Sequence, residues 1–141
     1  MRYSLKYALI FGMISAIAAL MIISLGLKDE WANLWVFSGS ASAIVAYTLS
    51  YFLIEKKPQR SNTRIVVIAT LIALLSHWLC WFEFILFDMY TDVDQTTSPQ
   101  DLIYALGGAL SLSFFSLMFL GWTSIPISIY LGFKLKKKPN T

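Results

Sequence analysis

The sequence predicts an all-α integral membrane protein, a bundle of four transmembrane helices with both termini in the cytoplasm. Three observations predict this fold class: the hydrophobic content, the lengths of four apolar stretches and the placement of the charges. Of the 141 residues, 57% are hydrophobic and only 13% are charged. A water-soluble domain of this size cannot bury so much apolar surface.

Four apolar stretches each reach the length that a transmembrane helix requires, because a hydrocarbon layer of ~30 Å is crossed by about 20 helical residues. The predicted spans cover residues 7–27, 35–54, 65–87 and 102–133. They leave a loop of 55–64 on one side of the membrane and loops of 28–34 and 88–101 on the other. Since the spans occupy nearly the whole chain, residues 1–141 are expected to form a single membrane domain.

The charges predict the orientation. Ten of the eleven Lys and Arg residues lie in the N-terminal tail, the loop of 55–64 and the C-terminal tail, where Glu55 is the one acid. The opposite side carries six acidic residues and one cation, Lys28. Because loops rich in Lys and Arg stay in the cytoplasm, loops 28–34 and 88–101 are predicted to be periplasmic. The compact build favours a bacterial inner (plasma) membrane, and cations spread along membrane edges do not indicate nucleic-acid binding.

The first span follows Arg2 and Lys6, as the apolar region of a secretory signal peptide would. Its apolar run continues through Leu27, which is too long for a cleaved signal, and we therefore expect a retained helix. The loop of 28–34 is so short that the first two spans should be antiparallel neighbours. The loop of 55–64 carries four cations and separates the two halves of the protein.

The fourth span has the most local detail. Ser98-Pro99-Gln100-Asp101 reads as a helix start, with a Ser N-cap, Pro at the first helical position and an acid three residues after the cap. The apolar part of 102–133 has 32 residues, or ~48 Å of helix, which exceeds the ~30 Å of hydrocarbon. We expect a kink near Pro126, because proline removes a backbone donor from the helix.

Small residues recur along one side of the second span. Four of them are candidate partner-binding residues: Ser38, Gly39, Ser42 and Ala46. Such a ridge lets two helix backbones approach closely, and pairs such as Gly12 with Ala16, or Gly107 with Ser111, offer matching surfaces on the first and fourth spans. The ridge serves either packing within the bundle or docking of another membrane protein.

Aromatic residues near the predicted membrane boundaries resemble interfacial anchors. At the cytoplasmic boundary these are Tyr3, Tyr7, Tyr51, Tyr130 and Phe133, and at the periplasmic boundary Trp31, Trp35, Tyr90 and Tyr104. They support the topology rather than a ligand site.

The third span holds the one candidate constellation for chemistry. His77 and Glu83 are a possible ion or proton site, because ionisable groups at membrane depth are costly and often functional. Six residues place Glu83 ~120° around the helix from His77 and ~9 Å along it, so the two cannot bind one ion without another helix. Either His77 is a neutral helix-contact residue and Glu83 a packing or interfacial residue, or both face a shallow outer cavity beside Trp78 and Trp81.

Three absences in the sequence argue against other sites. Cys80 has no second cysteine to pair with, and the chain has no second ligand cluster to complete a zinc site. Asp92 and Asp94 lie in a loop that lacks the glycine and the terminal glutamate of a calcium-binding loop. No metal or cofactor is therefore expected.

Together these features predict a non-enzymatic small inner-membrane protein that acts by helix–helix contact within the bilayer. It would be an accessory subunit of a membrane complex, or an immunity protein against a pore-forming toxin. The ridge of the second span, with Trp78 and Trp81, would contact the partner helix, and Asp92 and Asp94 would select it electrostatically. The alternative is a small oligomeric ion or solute transporter or channel that uses Glu83 and His77; a lipid-modifying enzyme has less support.

Overall fold

The computed structural model of the chain contains four long α-helices. It describes residues 2–25, 31–56, 61–91 and 98–135. The helices are α1 (Tyr3–Ser24), α2 (Leu34–Ser50), α3 (Asn62–Thr91) and α4 (Pro99–Lys134). A π-helical turn, Tyr51–Glu55, continues α2. With that turn included, all four helices are long and apolar enough to span a membrane, which confirms the all-helical, four-helix fold class for the described residues.

The ends of the helices differ in detail from the predicted spans. The third helix continues beyond residue 87 to Thr91, whose hydroxyl donates to the carbonyls of Phe87 (2.9 Å) and Asp88 (3.1 Å). Helical hydrogen bonding persists there although the apolar stretch has ended, because the helix needs no apolar surroundings to continue. The π-helical turn at the end of α2 has no counterpart in the sequence-based prediction.

The fourth helix begins where the sequence predicts. Ser98 and Asp101 form a capping box, in which the Ser98 N–H donates to the Asp101 carboxylate at 2.6 Å. The box satisfies a backbone donor that has no partner within the helix. The helix then runs through Pro126 to Lys134 without interruption; the kink at Pro126 stays a prediction.

The helices are arranged in chain order, with α1 against α2, α2 against α3 and α3 against α4. Direct contact between α1 and α4 is limited, and their hydrogen bonds lie at the end of the bundle where α1 begins and α4 ends. We call this end the basic end, since it holds Arg2, Lys56, Arg64 and Lys134. One apolar cluster fills the basic end, and a second, aromatic cluster fills the opposite end.

The carboxylate of Glu55 ties α2 to α1 at the basic end. It accepts the backbone N–H of Ser4 at 3.1 Å and the Ser4 hydroxyl at 2.5 Å. The N–H groups in the first turn of a helix have no intrahelical partner, and the helix dipole favours an anion there. The π-helical turn at the end of α2 therefore places a capping carboxylate at the start of α1.

A buried hydrogen-bonded network joins α1, α3 and α4 at the same end. The Tyr7 hydroxyl contacts the Ser128 carbonyl at 2.7 Å and the Ser128 hydroxyl at 2.5 Å, and Ser128 donates to the carbonyl of Ala69 at 2.8 Å. Tyr3 donates to the carbonyl of Gly132 at 3.1 Å. Tyr7 is 0% exposed and Tyr3 9% exposed, so the prediction that these two side chains anchor the protein at the membrane boundary is wrong.

Candidate functional site

The small residues of α2 pack against small residues of α1. A Cβ atom added to Gly12 would lie 3.0 Å from the Ala43 Cβ and 3.0 Å from the Gly39 carbonyl oxygen. A Cβ added to Gly39 would lie 3.1 Å from the Ala16 Cβ. The two backbones are therefore as close as the absent side chains allow, which is the packing that small residues permit between helices.

Of the four predicted partner-binding residues of α2, two contact α1 and two are buried. Ser42 and Ala46 are buried, and the Ser38 hydroxyl donates to the Ser15 carbonyl of α1 at 3.1 Å. Gly39 contacts Ala16 of α1 as well, so these small residues serve packing within the bundle. Their contribution to partner binding stays a prediction.

Trp78 and Trp81 lie in the aromatic cluster at the end opposite the basic end. Trp81 is 9% exposed and meets Trp31 edge-on, with ring centroids 5.5 Å apart. Trp78 stacks on Phe82 at 5.6 Å, and its indole N–H is buried without a hydrogen-bond partner among the described residues. The cluster fixes the half of α3 away from the basic end against α2 and α4.

His77 connects the middle of α3 to α4. Its Nδ1 lies 3.1 Å from the Ser116 hydroxyl, and its Nε2 lies 3.2 Å from the Ser124 hydroxyl. The Ser116 hydroxyl donates its one proton to the Ser113 carbonyl, so towards His77 it accepts, and we assign the ring proton to Nδ1. In this neutral tautomer, Nε2 accepts the proton of Ser124, and both ring nitrogens are satisfied.

Glu83 makes a different connection. Its carboxylate accepts the hydroxyl of Ser40, on α2, at 2.8 Å. His77 and Glu83 therefore bind side chains of different helices, as their ~120° separation around α3 requires. The structure does not bring them together into one ion site.

The remaining sequence-based site predictions have separate outcomes. Asp92 and Asp94 lie outside the described residues. Cys80 is a buried free thiol. Within the described ranges, no group of three or more His, Cys, Asp or Glu side chains is placed to hold a metal ion.

One pair of small residues faces away from the bundle. A Cβ added to Gly107, in the first half of α4, would meet no atom within 4 Å. Ser111, one turn further on, is exposed, and its hydroxyl donates back to the Gly107 carbonyl at 3.1 Å. We call these two residues the α4 notch. Large exposed side chains surround it and continue along α4: Ile103, Tyr104, Leu110, Phe114, Phe115 and Met118.

A cavity of about 130 Å³ lies between the four helices, near their midpoints. Three serines supply part of its polar lining, Ser42 from α2 and Ser76 and Ser124 from α3 and α4, and His77 lies beside them. Most of the lining is apolar and includes Phe11, Ile14, Ile22 and Leu120. Of the four residues predicted to lie at a cavity, His77 and Trp81 line this one, whereas Glu83 and Trp78 do not. The residues that α1, α2 and α4 contribute could not be predicted, because they are far apart in the chain and each lies within an apolar run.

No known protein family, curated protein or solved structure matches the chain. The α4 notch, the aromatic cluster and the cavity are the features of the described residues that bear on function.

Proposed function

We propose that the protein is a non-enzymatic component of a bacterial inner membrane that binds a transmembrane helix of another membrane protein. Both termini would lie in the cytoplasm, consistent with the cations at the basic end. The partner would be a subunit of a larger complex, which this protein assists, or a pore-forming toxin, against which it protects the host. The observation that carries the proposal is the α4 notch.

Three properties of the notch suit helix docking. Gly107 leaves the backbone of α4 open to approach, and close van der Waals packing is a principal source of helix association in lipid. The Ser111 hydroxyl is satisfied by its own helix, so covering it with an apolar surface leaves no unpaired donor. The exposed aromatic and aliphatic neighbours can then interdigitate with side chains of the partner helix.

The other small-residue surfaces are less open to a partner helix. Gly12 and Gly39 already face each other across α1 and α2. In this proposal Gly39 and its neighbours on the ridge act indirectly, because they fix the α1–α2 pair. Trp78 and Trp81 support the segment of α3 on which α4 packs. Asp92 and Asp94 would add electrostatic selection of the partner from the periplasmic side.

The proposal can be tested by affinity purification of the tagged protein from membranes of its native host in mild detergent, followed by mass spectrometry. Three proteins are compared: wild type, Gly107→Leu and Val67→Phe. The control residue Val67 is 52% exposed on α3, and both substitutions add the same number of carbon atoms to an exposed helix surface. We expect a reproducible partner with wild type and Val67→Phe and its loss with Gly107→Leu. Equal recovery with all three proteins would contradict docking at the notch.

An oligomeric transporter or channel is the second candidate function. It draws on one observation, that His77 lines a cavity together with several hydroxyl groups. Proton or cation flux in proteoliposomes that falls in His77→Ala and in Glu83→Gln would support this function. Flux that is unchanged in both variants would remove these residues from any transport mechanism.

A further inference from the structure

The central cavity opens at the surface of the bundle between α1 and α4. Ala18 of α1 and Leu120 and Thr123 of α4 line the cavity and are also exposed. The hydrogen bonds that join α1 to α4 lie at the basic end, beyond the cavity, and among the described residues no side-chain hydrogen bond between these two helices crosses the opening. In a bundle that spans the membrane, an opening halfway along the helices faces hydrocarbon, and a ligand would enter from the bilayer.

The size of the cavity limits its occupant. A dry cavity of ~150 Å³ in another protein holds one benzene molecule, and the present cavity of about 130 Å³ is of similar size. A helix with its side chains is ~10–12 Å across and does not fit. The occupant is therefore a single chain or ring, part of which can extend through the opening into the lipid.

The polar side of the cavity sets the chemistry of the occupant. Ser76 lines the cavity, is only 4% exposed, and its hydroxyl is buried without a hydrogen-bond partner among the described residues. A buried hydroxyl without a partner is unfavourable. The neighbouring His77 ring is already satisfied by Ser116 and Ser124, whereas the Ser76 hydroxyl remains a donor that an occupant of the cavity can satisfy.

We propose that this cavity binds a lipid-soluble molecule that has an apolar chain or ring and one hydrogen-bond-accepting oxygen. The apolar part lies among Phe11, Ile14 and Ile22, and the oxygen accepts the Ser76 hydroxyl. This site is separate from the α4 notch, because the cavity is lined by α4 residues from Ser116 onward. Ligand binding in the cavity does not require partner binding at the notch.

The test uses 1-octanol that carries a photoreactive diazirine, and the matching diazirine-labelled octane, on the full chain in lipid bilayers. Labelled positions are mapped by mass spectrometry, and unlabelled 1-octanol is added as competitor. We expect saturable labelling of cavity residues by the alcohol and non-saturable labelling of lipid-facing residues. Labelling of the cavity residues that is no more saturable than that of lipid-facing residues would overturn the proposal.

Variants then separate the apolar and polar parts of the site. Ser76→Ala should weaken competition by 1-octanol about fivefold, the effect of one lost hydrogen bond, and leave labelling by octane unchanged. Ala18→Phe should block the opening and reduce labelling by both probes, whereas Met13→Phe, at a 63% exposed position of the same helix, should not. If 1-octanol competes equally well in Ser76→Ala and wild type, the assigned hydrogen bond is wrong. This outcome can be read even if Ala18→Phe fails to fold.

Discussion

The close approach of α1 and α2 predicts that Gly12→Ala destabilises the protein. The new Cβ would lie 3.0 Å from the Ala43 Cβ, whereas non-bonded carbon atoms prefer ~3.5–4.0 Å. The two helices would have to separate by roughly 0.5–1 Å. Overpacking of this kind costs about 1–3 kcal/mol, although the greater helix propensity of Ala returns up to about 1 kcal/mol.

Gly107→Ala is the matched control for this prediction. It makes the same chemical change in a helix, but its Cβ would meet no atom within 4 Å. Both variants gain the same helix propensity, so the difference between their unfolding free energies is the packing cost of about 1–3 kcal/mol. Equilibrium unfolding in bicelles, measured for both variants under one condition, gives this difference. Equal unfolding free energies would refute the close packing of α1 on α2.

Two further predictions concern the basic end. Tyr7→Phe removes the hydroxyl that contacts Ser128 and should lower the unfolding free energy by about 1 kcal/mol. The control Tyr130→Phe, at a 60% exposed position, should leave the unfolding free energy unchanged. An equal effect of both changes would exclude the buried network. Glu55→Gln replaces the carboxylate that accepts from Ser4, and we expect a loss of about 0.5–1 kcal/mol in the same unfolding assay. A Glu55→Gln variant as stable as wild type would show that the charge of the cap contributes nothing.

The sequence predicted what depends on local signals. Apolar length predicted four helices, and the order of residues from Ser98 to Asp101 predicted the start of α4, where the capping box is found. Both features follow from residues close in the chain, because helix length and capping are properties of a segment and its own backbone. The π-helical turn that ends α2 was not predicted. It places Glu55 against α1, and a contact between residues so distant in the chain leaves no local signal in the sequence.

The partners of individual side chains could not be predicted in this way. His77 binds Ser116 and Ser124, 39 and 47 residues away in sequence, and Tyr7 binds Ser128, 121 residues away. Apolar residues occupy all sides of these helices, so hydrophobic periodicity does not indicate which face meets a neighbour. Small residues showed where helices could approach, but only the fold shows that Gly39 packs on α1 and that Gly107 is open.

In the proposed function, the α4 notch contacts another protein within the membrane. The most direct measurement places a photoreactive amino acid at position 111 and, as control, at position 13 on the exposed face of α1, and irradiates cells of the native host. We expect a reproducible cross-link to one membrane protein from position 111 and only lipid adducts from position 13. Lipid adducts alone from position 111, or the same protein adducts from both positions, would contradict it.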